Sequence, residues 1–568
     1  MEEKKIRLLD SQFAKFLAAG SALVGAENRV FQDLVCRLSM CLAAGDSCYP
    51  LSSAEKDLVL RSGLCAEGAQ PLCLFGGYLY LQRLFQYEKQ LAAKIARMSL
   101  ESVVLVARES FLESLFAGQD REDLQRIAAE KALQENFLII SGGPGTGKTT
   151  TVVKILALLR NASGKDLRIA MAAPTGKAAM RLQESVTGSV QSLALGDKEK
   201  EDFPVHASTL HRLLGVKCHS PFFRHNAKNP LPFDVLVVDE ASMVDLALMS
   251  KLVDALAPGS RLILLGDKNQ LSSVESGTVL ADMMDALPGN TIELQKSYRF
   301  DKNIKRFAEA INTGNAKAAW QMLQDESPEY ISLLSEDVAI YGGEVYSRYM
   351  KLACKAKSRE EYKALFPILH SFKILCAMKK GSTGVTGINE SVEQILTEKG
   401  YDCRPSGWYH GRPVMVVRNE YSLNLYNGDI GICLMDPESP GNVKVWFERE
   451  GDSLQGILPG RLKSCETVYA LTIHKSQGAE IGKVLVVLPE NESSLVTREL
   501  LYTAVTRASE TVIIKSSHSA FQLAVSGRIK RHSGLVELIR IAMKNKKRPP
   551  LQGGEKSRGS RGMPERSS

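Results

Sequence analysis

Apolar and polar positions alternate with changing period along this chain, and the changes divide it into segments. Between residues 28 and 45 (NRVFQDLVCRLSMCLAAG) and between 76 and 98 (GGYLYLQRLFQYEKQLAAKIARM), apolar residues recur at helical spacing between turns containing glycine and proline. Another helical stretch, REDLQRIAAEKALQEN (121–136), leads into the unbroken apolar run FLIIS, which empties into GGPGTGKTT and then into VVKILALLR, again of helical period. The order is strand, glycine-rich loop, helix. Comparable runs open RIAMAAPTGKAAMRLQES (168–185), DVLVVDEASMVD (234–245), RLILLGDKNQLSSVESG (261–277) and IELQKSYRF (292–300). Near-continuous apolar runs of this length suit strands covered on both faces, so an α/β architecture with a parallel sheet is predicted. ASTLHRLLG (207–215) opens a helix behind Ser208 or Thr209 as cap, after a polar, irregular stretch from about 186 to 208.

The same arrangement returns downstream. FKILCAMKKGSTGVTGINESVEQIL (372–396) reads as strand, glycine-rich loop and helix. GRPVMVVRNEYSLNLYNGDIGIC (411–433) alternates instead, carries an Asn427-Gly428 turn, and is followed by VKVWF (443–447); residues 403–466 are therefore expected to form a small β-barrel-like insertion. VLVVLP (484–489) and RELLYTAVTRAS (498–509) resume the strand and helix pattern. The tail KNKKRPPLQGGEKSRGSRGMPERSS lacks apolar anchors and is expected to be disordered.

Composition narrows the class without naming a function. With 568 residues, 44% apolar and 24% charged, the chain has core enough for about three to four domains. Of the net charge of +8, residues 544–568 supply +6, from eight Lys or Arg against two Glu, which leaves the body at +2. Overall charge is thus no argument for a polyanion partner, and any basic surface has to be local. The eleven cysteines, at 36, 41, 48, 65, 73, 218, 354, 376, 403, 433 and 465, include no C-x-x-C pair and read as reduced thiols. No signal sequence follows MEEKKIRLLD and no apolar run has bilayer length, so a cytoplasmic location and no membrane partner are expected.

The chemistry is concentrated at the first glycine-rich loop. Gly142, Gly143, Pro144, Gly145, Thr146, Gly147, Lys148, Thr149 and Thr150 fit the phosphate-binding pattern G-x-x-x-x-G-K-[ST] between a strand and a helix, where backbone N–H groups and the helix N-terminus face phosphate oxygens. Lys148 then neutralises the β and γ phosphates of ATP, and Thr149 supplies a hydroxyl to Mg²⁺. Asp239 and Glu240 end an apolar strand on the same edge, Asp239 toward the Mg²⁺ shell and Glu240 to orient and deprotonate water. Gln270 is placed to sense the γ phosphate, Arg299 to neutralise charge on the transferred phosphoryl group, and Gln125 to read the adenine edge. Pro174 and Thr175 stand at a strand end, where Thr175 or Lys177 could hold a backbone phosphate of nucleic acid.

Taken in order after GGPGTGKTT, the segments APTGKAA, STLHRLLG, VVDEAS, GDKNQL and KSYRF resemble the motifs of superfamily 1 DNA helicases. More closely they resemble the RecD family, the alpha subunit of bacterial exodeoxyribonuclease V. The resemblance implies two RecA-like P-loop motor domains, expected at 111–330 and 331–540, with an N-terminal helical docking domain at 1–110, a β-rich, SH3-like insertion at about 403–466, and a basic tail at 541–568. TIHKSQGAE resembles the family's fifth motif, which implies DNA contacts by Thr472, His474 and Lys475, a ribose contact by Glu480, and Arg507 as arginine finger. By the same resemblance His211 joins Pro174 and Thr175 on the DNA side. It also implies 5′ to 3′ travel on single-stranded DNA, duplex DNA ends as substrate, and RecB-like and RecC-like partners in a heterotrimer for break repair and degradation of linear DNA.

Four rivals are set against that reading. A nuclease core needs an acid-x-Lys triplet beside an upstream carboxylate, and Glu361-Tyr362-Lys363 lies instead in a helix-like stretch. A regulatory subunit that binds ATP without turnover has no use for Glu240 and Arg507. An ATP-driven remodeller of RNA or protein shares the fold, and TIHKSQGAE is the main argument for DNA over it. A stand-alone RecD-like helicase is expected to carry a longer N-terminal region with helix-hairpin-helix repeats, which this chain lacks.

Overall fold

The apolar runs become the strands of two parallel sheets, one of six strands and one of five, each covered by helices. In the computed structural model, the described residues are 6–101, 104–118, 120–164, 166–193, 195–217, 219–273, 275–296, 302–325, 330–404, 407–449, 453–490 and 496–547.

The N-terminal region comprises α1 (Leu8–Ala19), α2 (Gly25–Ala43), β1 (Tyr49–Pro50), α3 (Ser53–Arg61), β2 (Leu72–Phe75), β3 (Tyr78–Leu81) and α4 (Gln82–Leu100). It is not purely helical, as 1–110 was expected to be. Gly76 and Gly77 both adopt positive φ (57° and 84°), which suits a tight hairpin turn, and β2 and β3 pair across them with β1 on the far side of β3. The helical reading of 76–98 therefore starts too early. Nor does the region stand apart: Leu91, Ala92 and Ile95 of α4 share a core with Leu248, Met249 and Leu252 of the first lobe.

That lobe contains α5 (Glu109–Leu115), α6 (Leu124–Gln134), β4 (Phe137–Gly142), α7 (Lys148–Ser163), β5 (Ile169–Ala173), α8 (Gly176–Ser192), α9 (Asp197–Glu201), β6 (Ala207–Thr209), α10 (Leu210–Leu214), β7 (Val235–Val238), α11 (Leu246–Asp254), β8 (Arg261–Gly266), α12 (Val279–Ala286) and β9 (Thr291–Leu294). Its strands run parallel in the order β6-β5-β7-β8-β4-β9. Every residue of β4, β7 and β8 is buried, as near-continuous apolar runs require. From β4 the chain crosses to β5, past β8 and β7, which opens the crevice beside β4 where doubly wound sheets hold ligands.

The second lobe begins earlier than 331. α13 (Lys302–Asn312) and α14 (Ala316–Gln324) bury Ile304, Phe307, Ile311 and Leu323 against Val484, Leu501 and Phe521, so they belong to its core. β10 (Ile331–Leu333), α15 (Val338–Ala353), α16 (Arg359–His370), β11 (Phe372–Cys376) and α17 (Val385–Glu398) follow. Then come β12 (Arg412–Val416), β13 (Ile430–Asp436), β14 (Ser439–Arg449), β15 (Ser453–Ile457) and β16 (Cys465–Thr467), an antiparallel sheet in the order β15-β14-β13-β12-β16 with its own core of Val414, Cys433, Val445, Phe447 and Ile457. β17 (Ala470–Thr472), β18 (Ile481–Val487), α18 (Arg498–Val505), β19 (Ala508–Lys515) and α19 (His518–Ser526) complete the lobe, whose parallel sheet runs β10-β19-β18-β11-β17. The helix expected over 498–509 is shorter, because Ala508 already pairs with Ile481 in the sheet.

The described residues continue past this lobe. Residues 528–534 cross back, and α20 (Leu535–Lys547) packs Leu535, Leu538 and Ile539 against Leu91 and Ile95 of α4 and Met283 and Met284 of α12. Arg531 Nη1 donates to the carbonyls of Glu275 and Gly277, both at 3.1 Å, and His532 N donates to Asp46 Oδ1 at 2.6 Å. The joint closes over Glu88, whose fully buried carboxylate accepts from Ser47 Oγ (2.5 Å), Ser533 Oγ (3.0 Å), Tyr80 OH (3.1 Å) and Gly534 N (3.2 Å). Burial pushes this carboxyl up to about 7, against those hydrogen bonds. The apolar face of α20 carries the helix to Lys547, into the expected tail of 541–568; from 548 onward the tail lies outside the described residues.

Candidate active site

The loop after β4 keeps its shape because side chains are missing where they would obstruct it. Gly145 and Gly147 hold φ of +76° and +82°, which a Cβ makes costly. A Cβ on Gly142 would stand 2.6 Å from Thr146 Oγ1 and 2.9 Å from the carbonyl oxygen of Leu294. α7 then starts at Lys148, so the unpaired N–H groups of its first turn border the loop. Lys148 Nζ donates to the carbonyls of Gly142 (2.6 Å) and Gly143 (3.0 Å).

This loop forms one wall of a cleft of about 850 Å³ between the lobes. Gln125, Pro144, Gly145, Gly147, Lys148, Thr149, Thr150, Asp239, Glu240 and Gln270 line it from the first lobe, and Gly478, Ala479, Glu480, Thr506 and Arg507 from the second. Gln125 is buried on α6 with Nε2 3.4 Å from the carbonyl of Thr146, tying that helix to the loop.

Asp239 follows β7 directly, and its Oδ1 accepts from the backbone N–H of Glu240 at 2.8 Å. Burial raises the Asp239 carboxyl above the usual range and the neighbouring Glu240 raises it further, while Lys148 pulls the other way. Glu240 itself has φ of +50°, a left-handed conformation that costs a non-glycine residue roughly 1 kcal/mol or more and recurs at functional sites.

The two lobes meet at Gln270. Its Oε1 accepts from Arg507 Nη2 at 3.0 Å, and its Nε2 donates to Asp267 Oδ2 at 3.2 Å. Asp267 Oδ2 also accepts from Tyr502 OH at 3.1 Å, from the second lobe. Buried Arg507 is aimed by two more donations, Nε to the Thr503 carbonyl (3.2 Å) and Nη1 to the Ala479 carbonyl (3.4 Å). Next to this pair, Leu271 N donates to Thr503 Oγ1 at 2.8 Å and Gln477 Nε2 donates to the Leu271 carbonyl at 2.9 Å. Asp267, Gln477, Tyr502 and Thr503 carry this seam, yet sequence reasoning gave none of them an inter-lobe role. Thr503 sits four residues before Arg507, within reach across the last turn of α18, and that spacing was the available signal.

The remaining sequence candidates lie along strand ends, outside the cleft lining. Pro174 and Thr175 follow β5, and Thr175 Oγ1 caps α8 by accepting from Ala178 N at 3.2 Å. His211 is exposed in α10, its ring edge-on to Phe223. Thr472 ends β17 and Thr472 Oγ1 accepts from Lys475 N at 3.4 Å, with His474 exposed beside them. A Cβ on Gly176 would come within 3.3 Å of Tyr426 Cβ, so the insertion touches the first lobe. Glu361 completes the capping box of α16, its carboxylate accepting from Ser358 N at 3.0 Å, and Tyr362 is buried with its OH donating to the Met435 carbonyl, so the triplet lies in the first turns of a helix. Among the described residues there is no group of three or more His, Cys, Asp or Glu able to hold a metal. Nor is any helix among them long and apolar enough to cross a membrane. Arg299 lies outside the described residues.

Residues 125–276 match the AAA domain family and residues 467–514 the UvrD-like helicase C-terminal domain family, the two stretches that form the cleft. Over 522 residues the chain is 39% identical to the RecBCD enzyme subunit RecD of Mycolicibacterium smegmatis, covering 88% of this chain and 92% of that one. The chain belongs to the RecD family. It is 33% identical to the RecBCD enzyme subunit RecD of Haemophilus influenzae over 532 residues, 83% of this chain and 81% of that one. It is also 30% identical to the ATP-dependent RecD2 DNA helicase of Deinococcus radiodurans over 526 residues, 88% of this chain and 67% of that one. As a RecD-family chain with an intact P-loop cleft, it binds ATP and acts as an ATP-dependent helicase.

Proposed function

We propose that this chain is a 5′ to 3′ DNA motor working as one subunit of a RecB–RecC–RecD-type assembly on duplex DNA ends. The observation that carries the proposal is the bond from Arg507 to Gln270, because it brings a second-lobe guanidinium onto a first-lobe residue that lines the same cleft as the phosphate loop. In this reading Lys148 neutralises the terminal phosphates, Glu240 orients and deprotonates water, and Arg507 stabilises charge on the transferred phosphoryl group, with Arg299 as a further cation. Gln270 links the fate of the γ phosphate to the contact between lobes. Gln125 borders the loop where the base would lie, and Glu480 faces the ribose.

Mg²⁺ fits the cleft. The Thr149 hydroxyl and the Asp239 carboxylate both line it, and the carboxylate, strained upward by burial and by Glu240, gains from a nearby cation. When bound, Mg²⁺ would polarise the phosphate oxygens. Hydrolysis removes the charge that Arg507 answers, so the lobes separate and then close again on fresh ATP. With Pro174, Thr175 and His211 holding a strand on one lobe and Thr472, His474 and Lys475 on the other, that cycle moves DNA.

On a short duplex carrying a single-stranded overhang at one end, the chain is expected to unwind substrates with a 5′ overhang, in an ATP-dependent strand-displacement assay. Preference for a 3′ overhang sinks the polarity.

The subunit reading draws support from the near-equal coverage shared with the mycobacterial RecD subunit, and from the N-terminal surface. Leu8, Leu9 and Phe16 of α1 are 69–77% exposed and Val24 at the start of α2 is 80% exposed, an apolar face that nothing in the chain covers among the described residues. A Phe16→Glu substitution is expected to cut co-purification with co-expressed RecB-like and RecC-like subunits at least tenfold, without changing the melting temperature of the lone chain. Unchanged recovery of the assembly rejects this face as the docking surface.

A further inference from the structure

β11 and β17 are neighbours in the second lobe, with Cys376 opposite Thr472. The loops that follow therefore leave the sheet side by side, and each carries a lysine three residues on: Lys379 after β11, Lys475 after β17. The backbone of the first loop is anchored, since the Lys379 carbonyl accepts from both the N–H (3.1 Å) and the hydroxyl (3.2 Å) of Thr386. One carboxylate spans both ammonium groups. Glu466 Oε1 meets Lys379 Nζ at 2.6 Å and Glu466 Oε2 meets Lys475 Nζ at 3.2 Å. Glu466 belongs to β16, the last strand of the insertion, where it pairs with Met415 of β12.

The stereochemistry is that of a phosphodiester contact made by a side chain. Two oxygens on one centre, sharing one negative charge, each take a lysine donor, and the pair of cations keeps one positive charge to spare. A DNA phosphate offers the same two oxygens and the same single charge. The trio is only partly covered, with side-chain exposures of 57% for Lys379, 35% for Glu466 and 29% for Lys475. Ion pairs this open are weak and exchange readily for another anion.

We propose that Lys379 is a further contact for the DNA backbone, and that Glu466 occupies Lys379 and Lys475 as an internal stand-in for a phosphate that the strand must displace. The proposal rests on the helicase reading above and adds to it a reason for weak grip. A carboxylate carried on the insertion competes for the same two lysines at every step, so the second lobe can release the strand. Tyr426 of the insertion, packed over Gly176 beside Thr175, puts the same module at the first-lobe strand end as well.

The test is fluorescence anisotropy of a labelled oligothymidylate with the full chain, without nucleotide, across a series of salt concentrations. Glu466→Gln is expected to tighten binding about threefold to tenfold, because the competitor loses its charge but keeps its shape. Lys379→Ala is expected to weaken binding about threefold to tenfold and to lower the slope of log affinity against log salt by about 0.7, the loss of one phosphate contact on a single strand. Melting temperatures of both variants should match the parent, since each change lies at a partly exposed site. The proposal is overturned if Glu466→Gln binds no tighter, which is what a merely structural clamp predicts, or if Lys379→Ala keeps the parental affinity and slope. If the parent chain itself fails to bind oligothymidylate, it is the helicase reading that falls.

Discussion

Replacing Lys148 by glutamine is expected to abolish DNA-stimulated ATP hydrolysis while the protein remains folded. The side chain loses its charge but keeps nearly its length and a hydrogen-bond donor, so bonds to the carbonyls of Gly142 and Gly143 can persist in neutral form. Stability should therefore change by less than about 1 kcal/mol. Turnover has no such reserve. The β and γ phosphates concentrate negative charge in a cleft whose other first-lobe groups include two carboxylates, Asp239 and Glu240, and Lys148 already offsets part of that charge at Asp239. Removing it costs a factor of roughly 10² to 10³, by analogy with loss of a fixed donor at a site of developing charge. The measurement is steady-state ATPase with saturating single-stranded DNA, beside a thermal melt. A variant hydrolysing within tenfold of the parent rate defeats the assignment of this cleft as the active site.

The second large effect is expected at Arg507. Arg507→Ala should lower the rate of the chemical step roughly 10³-fold or more, the range seen when an arginine finger is withdrawn from phosphoryl transfer, while nucleotide affinity falls only a few-fold. The asymmetry follows from position. In the proposed mechanism the groups that hold the phosphates sit on the first lobe, whereas Arg507 reaches across from the second and acts on charge that grows as the bond breaks. Arg507→Lys is not expected to rescue the rate. The guanidinium is aimed by simultaneous donation to Thr503, Ala479 and Gln270, and an ammonium on a flexible stem does not reproduce three diverging donors. Single-turnover hydrolysis together with binding of a fluorescent nucleotide separates chemistry from affinity. Retained single-turnover chemistry in Arg507→Ala would remove the two-lobe mechanism, even if Lys148 behaved as described.

The first of these effects was legible from residues alone because its signals are local. A buried parallel strand has to be apolar along its whole length, so β4, β7 and β8 stand out as runs, and the residues at their ends inherit a shared edge of one sheet. The phosphate loop is equally local, since its turn needs glycines at fixed offsets from the lysine. Chain order then placed Asp239, Glu240 and Gln270 on the edge that carries Lys148, and the resemblance to RecD brought in Arg507.

What sequence could not convey is which surface an apolar face ends up covering. α13 and α14 are adjacent in the chain to the first lobe but pack into the second, and α20 follows the second lobe but packs on α4 and α12. Helical period announces that a face will be buried and is silent about the partner, because any complementary apolar surface satisfies the same pattern. The short hairpin around Gly76 was missed for a related reason. Two strands of four residues each give too few alternations to stand against the helix that follows them.

By itself, then, the sequence determined the two parallel-sheet cores, the phosphate loop and the acids at its edge, since each depends on residues close together in the chain or on one strand's need for burial. Only the tertiary structure decided how the halves are joined: Tyr502 on Asp267, Arg507 on Gln270, Glu466 between two lysines, and the Glu88 joint that returns the C-terminus to the first lobe. Such contacts link residues far apart in the chain through single polar atoms. They leave no periodicity behind, and it is the folded geometry alone that brings their donors and acceptors within reach.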